Sequence, residues 1–292
     1  MLHTFDISGS LIDGIPFTAA PRLKRLGLYF SPCPNPTSVS AIPLDQLVEL
    51  TIGDIQTIPK VVEVIQRCPR LESLWLRVDE GDEDGSLTSR SITQHDTLRR
   101  LHLNTLPYVN AVTDCLTLPA LTDLSLRTHC SIPEIEAKIC CSQLVAFFTR
   151  SNCELQKFTL YRSGLGPGEL LECLSHRSCQ TLTQLVIEGD ESSPPMVDRE
   201  LLIRLKYSDV DDDLPLCPKL RHLELNGRYC SDRLFPDLLG RMIQSRCFGR
   251  TQDAQLGSLR LCNRYSVSSE DYELLQFAQS NGGLELGYSY VI

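Results

Sequence analysis

Residues 217–225 read CPKLRHLEL, and the three leucines are spaced L-x-x-L-x-L. Leu223 and Leu225 alternate with His222 and Glu224, so the two leucines fall on one face of a short strand and their neighbours on the other. Leu220 lies just ahead of the strand and turns inward. Pro218 stops the incoming segment and sets an extended approach. One match would mean little, because leucine is common, but the template recurs ten times along the chain. It appears as Leu2-Phe5-Ile7, Leu23-Leu26-Leu28, Leu47-Leu50-Ile52, Leu71-Leu74-Leu76 and Leu98-Leu101-Leu103. It continues as Leu121-Leu124-Leu126, Leu155-Phe158-Leu160, Leu182-Leu185-Ile187, Leu220-Leu223-Leu225 and Leu256-Leu259-Leu261. A last strand is expected over residues 284–291. The starts lie between 21 residues (Leu2 to Leu23) and 38 residues (Leu182 to Leu220) apart.

Between these strands the pattern changes to helix, over residues 59–67, 134–149, 168–176, 198–206, 235–245 and 270–280. Asp198 has the side chain of a good N-cap, and Pro59 suits a helix N-terminus. A unit of strand, turn, helix and return loop cannot bury its apolar side alone, so each stacks on the next. The expected fold is therefore α/β: a leucine-rich-repeat solenoid, with parallel strands on a concave face and helices on a convex face. It should be a single solenoid over residues 1–292, of about ten repeats. A regular repeat carries Asn three residues after the third apolar position. Here that place holds Ser10, Ser31, Ile55, Asp79, Leu106, His129, Ser163, Asp190, Arg228 and Arg264. An irregular horseshoe of uneven curvature is expected.

The net charge of −9 argues against nonspecific binding to nucleic acid or to an anionic membrane, since both need a basic face. The apolar run at residues 144–148 is far short of the ~20 residues of a spanning helix. No basic residue precedes an apolar stretch at the N-terminus, which argues against a secretory signal. Thirteen cysteines cannot all pair within one chain, and they are scattered among apolar positions without a disulfide framework. Asn35 is followed by Pro36, which blocks glycosylation there. The expected compartment is reducing, cytoplasmic or nuclear, with Cys as a small hydrophobe.

The stretches at residues 182–190, 211–227 (DDDLPLCPKLRHLELNG), 235–247 (FPDLLGRMIQSRC), 256–261 and 283–286 resemble the repeat region of fungal F-box/leucine-rich-repeat proteins, particularly those of basidiomycetes. The resemblance covers essentially the whole chain. It implies a substrate receptor of a cullin-type ubiquitin ligase, in which an F-box would hold the Skp1 adaptor and the repeats the substrate. The repeat begins at Leu2, with no L-P-x-E-I-like segment ahead of it. A Skp1 partnership is therefore expected only if an F-box is supplied elsewhere, and the chain reads as a fragment or a receptor remnant.

Motifs with possible chemistry carry bland readings. Gly164, Gly166 and Gly168 precede a helix but lack the P-loop lysine, and a strand-to-helix turn explains them. Cys173, His176 and Cys179 make C-x2-H-x2-C without a fourth ligand, so buried packing cysteines are expected. Glu80, Asp82, Asp84 and Gly85 start like a calcium loop, but the twelfth position is Ser91. Asp209, Asp211, Asp212 and Asp213 read likewise as a solvated acidic insertion. No catalytic residue, metal or cofactor is expected.

Function is expected on the outward strand positions, as recognition of a protein partner on the concave face. Trp75 is the single tryptophan, and Trp, Tyr and Arg dominate interface hot spots. The candidate set is Tyr29, Trp75, Arg77, Arg100, His102, Arg127, Tyr161, Arg162, Glu188 and Glu224. Arg25, Glu49, His222, Ser258 and Arg260 also fall on outward positions. The alternatives are an inert or truncated remnant, and a metal-dependent enzyme using the cysteine-rich loops.

Overall fold

The computed structural model describes residues 3–8, 22–29, 44–55, 58–78, 92–105, 109–128, 138–189, 195–207, 215–226, 236–248, 255–262 and 267–289. The chain divides into two compact units. One is Met1–Ile139 with Ala146–Cys153, the other Cys140–Val145 with Glu154–Ile292. The fold is α/β, and among the described residues the first unit holds six strands of parallel sheet and the second five.

In the first unit the six are β1 (Thr4–Ser8), β2 (Arg25–Tyr29), β3 (Glu49–Ile55), β4 (Ser73–Val78), β6 (Arg100–Thr105) and β8 (Asp123–Thr128), paired in that order. A separate pair is formed by β5 (Thr93–Gln94) and β7 (Leu116–Thr117). Two whole helices, α1 (Ile58–Arg67) and α2 (Val109–Asp114), belong to this unit, with residues 146–151 of α3 (Cys141–Ser151).

The repeat leucines stand in register. Leu26, Leu50, Leu74, Leu101 and Leu124 form one row, and Leu28, Ile52, Leu76, Leu103 and Leu126 a second. Every one of them is at most 6% exposed. Each fully buried leucine contributes roughly 1.5–3 kcal/mol, and a slip of one residue would turn a whole row to solvent. At the strand starts one carbonyl accepts two amides from the next repeat. Lys24 O takes Val48 N at 2.8 Å and Glu49 N at 3.0 Å, Val48 O takes Glu72 N and Ser73 N, and Glu72 O takes Arg99 N and Arg100 N.

The prolines ahead of strands play a different part from the extended approach expected of them. Leu71 N donates to Cys68 O at 3.0 Å, and Leu121 N to Leu118 O at 3.2 Å. Pro69 and Pro119 thus occupy the second position of a closed four-residue turn, where their fixed φ is favourable. They reverse the chain and leave the leucine amide to close the turn.

In the second unit β9 (Lys157–Tyr161), β10 (Gln184–Glu188), β11 (His222–Asn226), β12 (Ser258–Cys262) and β13 (Glu285–Ser289) pair in order. Its helices are α4 (Pro167–Ser175), α5 (Arg199–Leu205), α6 (Leu238–Cys247) and α7 (Ser269–Gly282). Phe158, Leu185, Leu223, Leu259 and Leu286 align across it. The two-amide carbonyl returns at Gln156, Thr183 and Arg221. Asp198 caps α5, accepting from Leu201 N at 2.9 Å. Helices α6 and α7 meet at Gly240, where a Cβ would lie 2.7 Å from the Cβ of Leu274. There the Gly240 amide donates to the buried Asp271 carboxylate at 2.7 Å.

Helix C-termini leave carbonyls without intrahelical partners, and an arginine answers this need in each unit. In the first, Arg150 on α3 donates to Thr113 O at 2.8 Å and Leu116 O at 3.1 Å. In the second, Arg246 on α6, 0% exposed, donates to Leu205 O at 2.6 Å, to Cys217 O at 3.1 Å and to Leu216 O. Its guanidinium also lies 5.3 Å from the centre of the Tyr207 ring. Burial lowers the Arg246 pKa below its ordinary value. Arg246→Met should orphan the Leu205 and Leu216 carbonyls at about 1–3 kcal/mol each, while Cys217 O keeps the Leu220 amide at 3.1 Å. We expect a loss of at least about 2 kcal/mol in urea unfolding followed by circular dichroism. A variant as stable as the wild type would show that the clamp does not hold the unit together.

Candidate functional site

The outward positions of the first unit form three rows. In the first, Arg25 pairs in register with Glu49, Glu49 with Ser73, Ser73 with Arg100 and Arg100 with Asp123. Glu49 accepts from Arg25 at 3.0 Å and from Arg100 at 2.9 Å. Arg100 starts two strands from Glu49, about 10 Å away at a strand spacing near 4.8 Å. It reaches across because Ser73, between them, is small. The second row runs Gly27, Thr51, Trp75, His102, Ser125. Trp75 is half-buried, as are Thr51 and His102 beside it. The third places Arg77 and Arg127, both exposed, on either side of Asn104. Tyr29, at the end of β2, is 46% exposed. Gly53 lies against it, and a Cβ there would stand 3.2 Å from the Tyr29 Cα, a tight contact.

Six candidates, Tyr29, Trp75, Arg77, Arg100, His102 and Arg127, thus stand on the strand face of the first unit. Trp75 sits in its row between smaller neighbours, neither wholly outward nor wholly folded away. Sequence reasoning missed the pairing that ties Arg25 and Arg100 to Glu49, since a repeat pattern gives strand positions but not which side chain reaches which.

In the second unit, Tyr161 in β9 pairs in register with Glu188, and Glu188 with Asn226. Arg162 follows β9 with φ of 51°, a left-handed conformation uncommon outside glycine. Its amide donates to Glu188 O at 2.7 Å, and its guanidinium lies 5.3 Å from the Tyr161 ring centre. Glu224 accepts from Asn226 at 2.6 Å and lies 3.8 Å from Arg260. His222 Nδ1 and Ser258 Oγ are 2.8 Å apart. His222, Glu224, Ser258, Arg260 and Glu285 line an open depression of about 250 Å³. The sequence placed Glu224 in the candidate set, whereas His222, Ser258 and Arg260 were only outward positions and Glu285 was not singled out.

The other motifs resolve locally. The Gly166 amide donates to Glu169 Oε2 at 2.7 Å, so the glycine run is the turn into α4. His176 Nδ1 accepts from Ser178 N at 3.2 Å, and Cys173 and Cys179 are 0% exposed. Among the described residues no three His, Cys, Asp or Glu side chains are grouped to hold a metal ion. The acidic stretches at 80–85 and 209–213 lie outside the described residues.

Exposed ion pairs contribute at most about 1 kcal/mol. Glu49→Gln should accordingly shift the urea midpoint by less than about 1 kcal/mol in stability. A larger loss would make the Arg25–Glu49–Arg100 cluster structural and remove it from the candidate surface.

No family model matches the chain, and no curated protein matches it.

Proposed function

We propose that this chain is an irregular leucine-rich-repeat solenoid that binds a protein partner on the outward strand face of its first unit, without catalysis. The observation that carries the reading is the half-buried Trp75, standing in register between Thr51 and His102, with the exposed Arg77 and Arg127 one row away. A large aromatic beside arginines is the composition that dominates binding energy at protein interfaces. The parallel strands, ten of which coincide with the ten copies of the template, support the solenoid. The exposed Arg77 and Arg127, one row from Trp75, add to the basic character of this face beside Arg25 and Arg100, which Glu49 bridges. A partner should meet it with an apolar group flanked by carboxylates. In the second unit Tyr161, Arg162, Glu188 and Glu224 form the corresponding candidate face.

The resemblance to F-box/leucine-rich-repeat proteins makes the partner a ubiquitylation substrate, with Skp1 joining only where an F-box is supplied. Buried cysteines packed as small apolar groups support a reducing, cytoplasmic or nuclear setting. Among the described residues no helix is long and apolar enough to cross a membrane.

The test is an affinity pull-down from native lysate with mass spectrometry, comparing wild type with a Trp75→Ala/Arg77→Ala variant whose fold is checked by circular dichroism. Loss of a hot-spot pair costs about 2 kcal/mol or more, so recovery of the partner should fall at least about tenfold. Skp1 in the wild-type catch would support the ligase reading. Identical catches from the two proteins would remove Trp75 and Arg77 from the binding face.

A further inference from the structure

We propose that Cys141 and Cys173 form an oxidisable dithiol, which a peroxide closes to a disulfide within the second unit. Cys141 is the first residue of α3 and Cys173 lies in α4. Their sulfurs are 3.5 Å apart, and a disulfide needs about 2.0 Å, so a shift of roughly 1.5 Å completes the bond. Cys141 Sγ also donates to Glu169 O at 3.3 Å, which holds the thiol on the α4 side. Cys173 is 0% exposed and Cys141 5%. Both chain neighbours of Cys141 reach solvent, since Ser142 is exposed and Cys140, just ahead of α3, is half-buried, and this is the side from which an oxidant would approach. The inference is independent of partner recognition.

The chemistry balances with the peroxide as the only co-reactant. The Cys141 thiolate attacks one peroxide oxygen, the O–O bond breaks, and the departing hydroxide takes the thiol proton as water. Cys141 is then a sulfenic acid. Cys173 sulfur attacks the Cys141 sulfur, the S–O bond breaks, and a second water leaves with the Cys173 proton. Two thiols are oxidised and one peroxide is reduced.

The surroundings set the pace. Burial, foremost, holds both thiols above the ordinary cysteine value, and the Glu172 and Glu169 carboxylates push the same way. Cys140 goes the other way: hydrogen bonds from the Ser142 side chain, then the Gln143 amide, lower its pKa. Thiolate is the nucleophile, so among the described cysteines Cys140 should alkylate first in the native chain while Cys141 and Cys173 are protected. The pair therefore suits a slow response to sustained oxidant rather than a fast sensor.

The experiment treats the intact chain with hydrogen peroxide, blocks thiols with iodoacetamide and maps peptides without reduction. A peptide linking Cys141 to Cys173 is expected. It should vanish in Cys141→Ser and in Cys173→Ser and persist in Cys140→Ser, each variant first shown to be folded by circular dichroism. The yield should drop several-fold when the chain is oxidised in urea, because the native fold supplies the proximity. Separately alkylated Cys141 and Cys173 after oxidation, a Cys140 link in their place, or an undiminished yield in urea would each overturn the proposal.

Discussion

At the start of successive strands, one carbonyl accepts two amides from the repeat that follows. Lys24, Val48, Glu72 and Arg99 do this in the first unit, and Gln156, Thr183 and Arg221 in the second. In each case the carbonyl belongs to the residue just after the first leucine of the template. The pair of hydrogen bonds fixes where the next strand begins, and with it the register of every residue in that strand. From that point the alternation of a strand leaves no choice. Leucines meet leucines inside, and Trp75 meets Thr51 and His102 outside. The candidate face is therefore a consequence of backbone geometry at the strand starts.

That local constraint also explains how repeats of such unequal length coexist. Only the short segment from turn to strand has to match its neighbour. The connection between strands can lengthen, provided its helix ends find partners for their carbonyls. Arg150 and Arg246 meet this need from the penultimate positions of α3 and α6. Gln180 does it with an amide, donating to Leu174 O at the end of α4 at 2.9 Å. Different side chains thus solve one problem, which is why no single residue marks the repeat boundary in the sequence.

The strands were legible because burial imposes a period-two pattern that leucine displays directly. Each repeat of the template coincides with a strand, and 284–291 contains β13. The longer helices were legible from their apolar faces and, at Asp198, from the cap, but residues 138–140 of the helix expected over 134–149 are not helical and α3 starts at Cys141. Helix α2 was not: VNAVTD is short and rich in β-branched residues, and its turn is held by tertiary burial of Val109 and Val112. The two-residue strands β5 and β7 have no periodicity to read. Most positions that lack the repeat asparagine lie outside the described residues, but Ser163 shows one substitute. Its hydroxyl donates to Met196 Sδ at 3.1 Å. For the candidate site, position was legible and pairing was not. Nothing in the spacing of Glu49 and Arg100 says that one reaches the other over Ser73. Nor does any spacing bring Cys141 to Cys173, 32 residues apart.

The face and the scaffold draw on different energies, and the magnitudes keep them apart. The leucine rows contribute roughly 1.5–3 kcal/mol for each buried side chain, whereas the ion pairs of Glu49 and Glu224 are exposed and contribute at most about 1 kcal/mol each. The outward residues can then change identity with little effect on folding, as long as each remains compatible with a strand. The inward rows cannot, since one polar residue there would cost more than several surface pairs return. Recognition can therefore diversify on Trp75, Arg77 and Arg127 while Leu74, Leu76 and Leu126 beside them stay apolar. The alternation of a strand places the two demands on adjacent residues and still lets each be met separately.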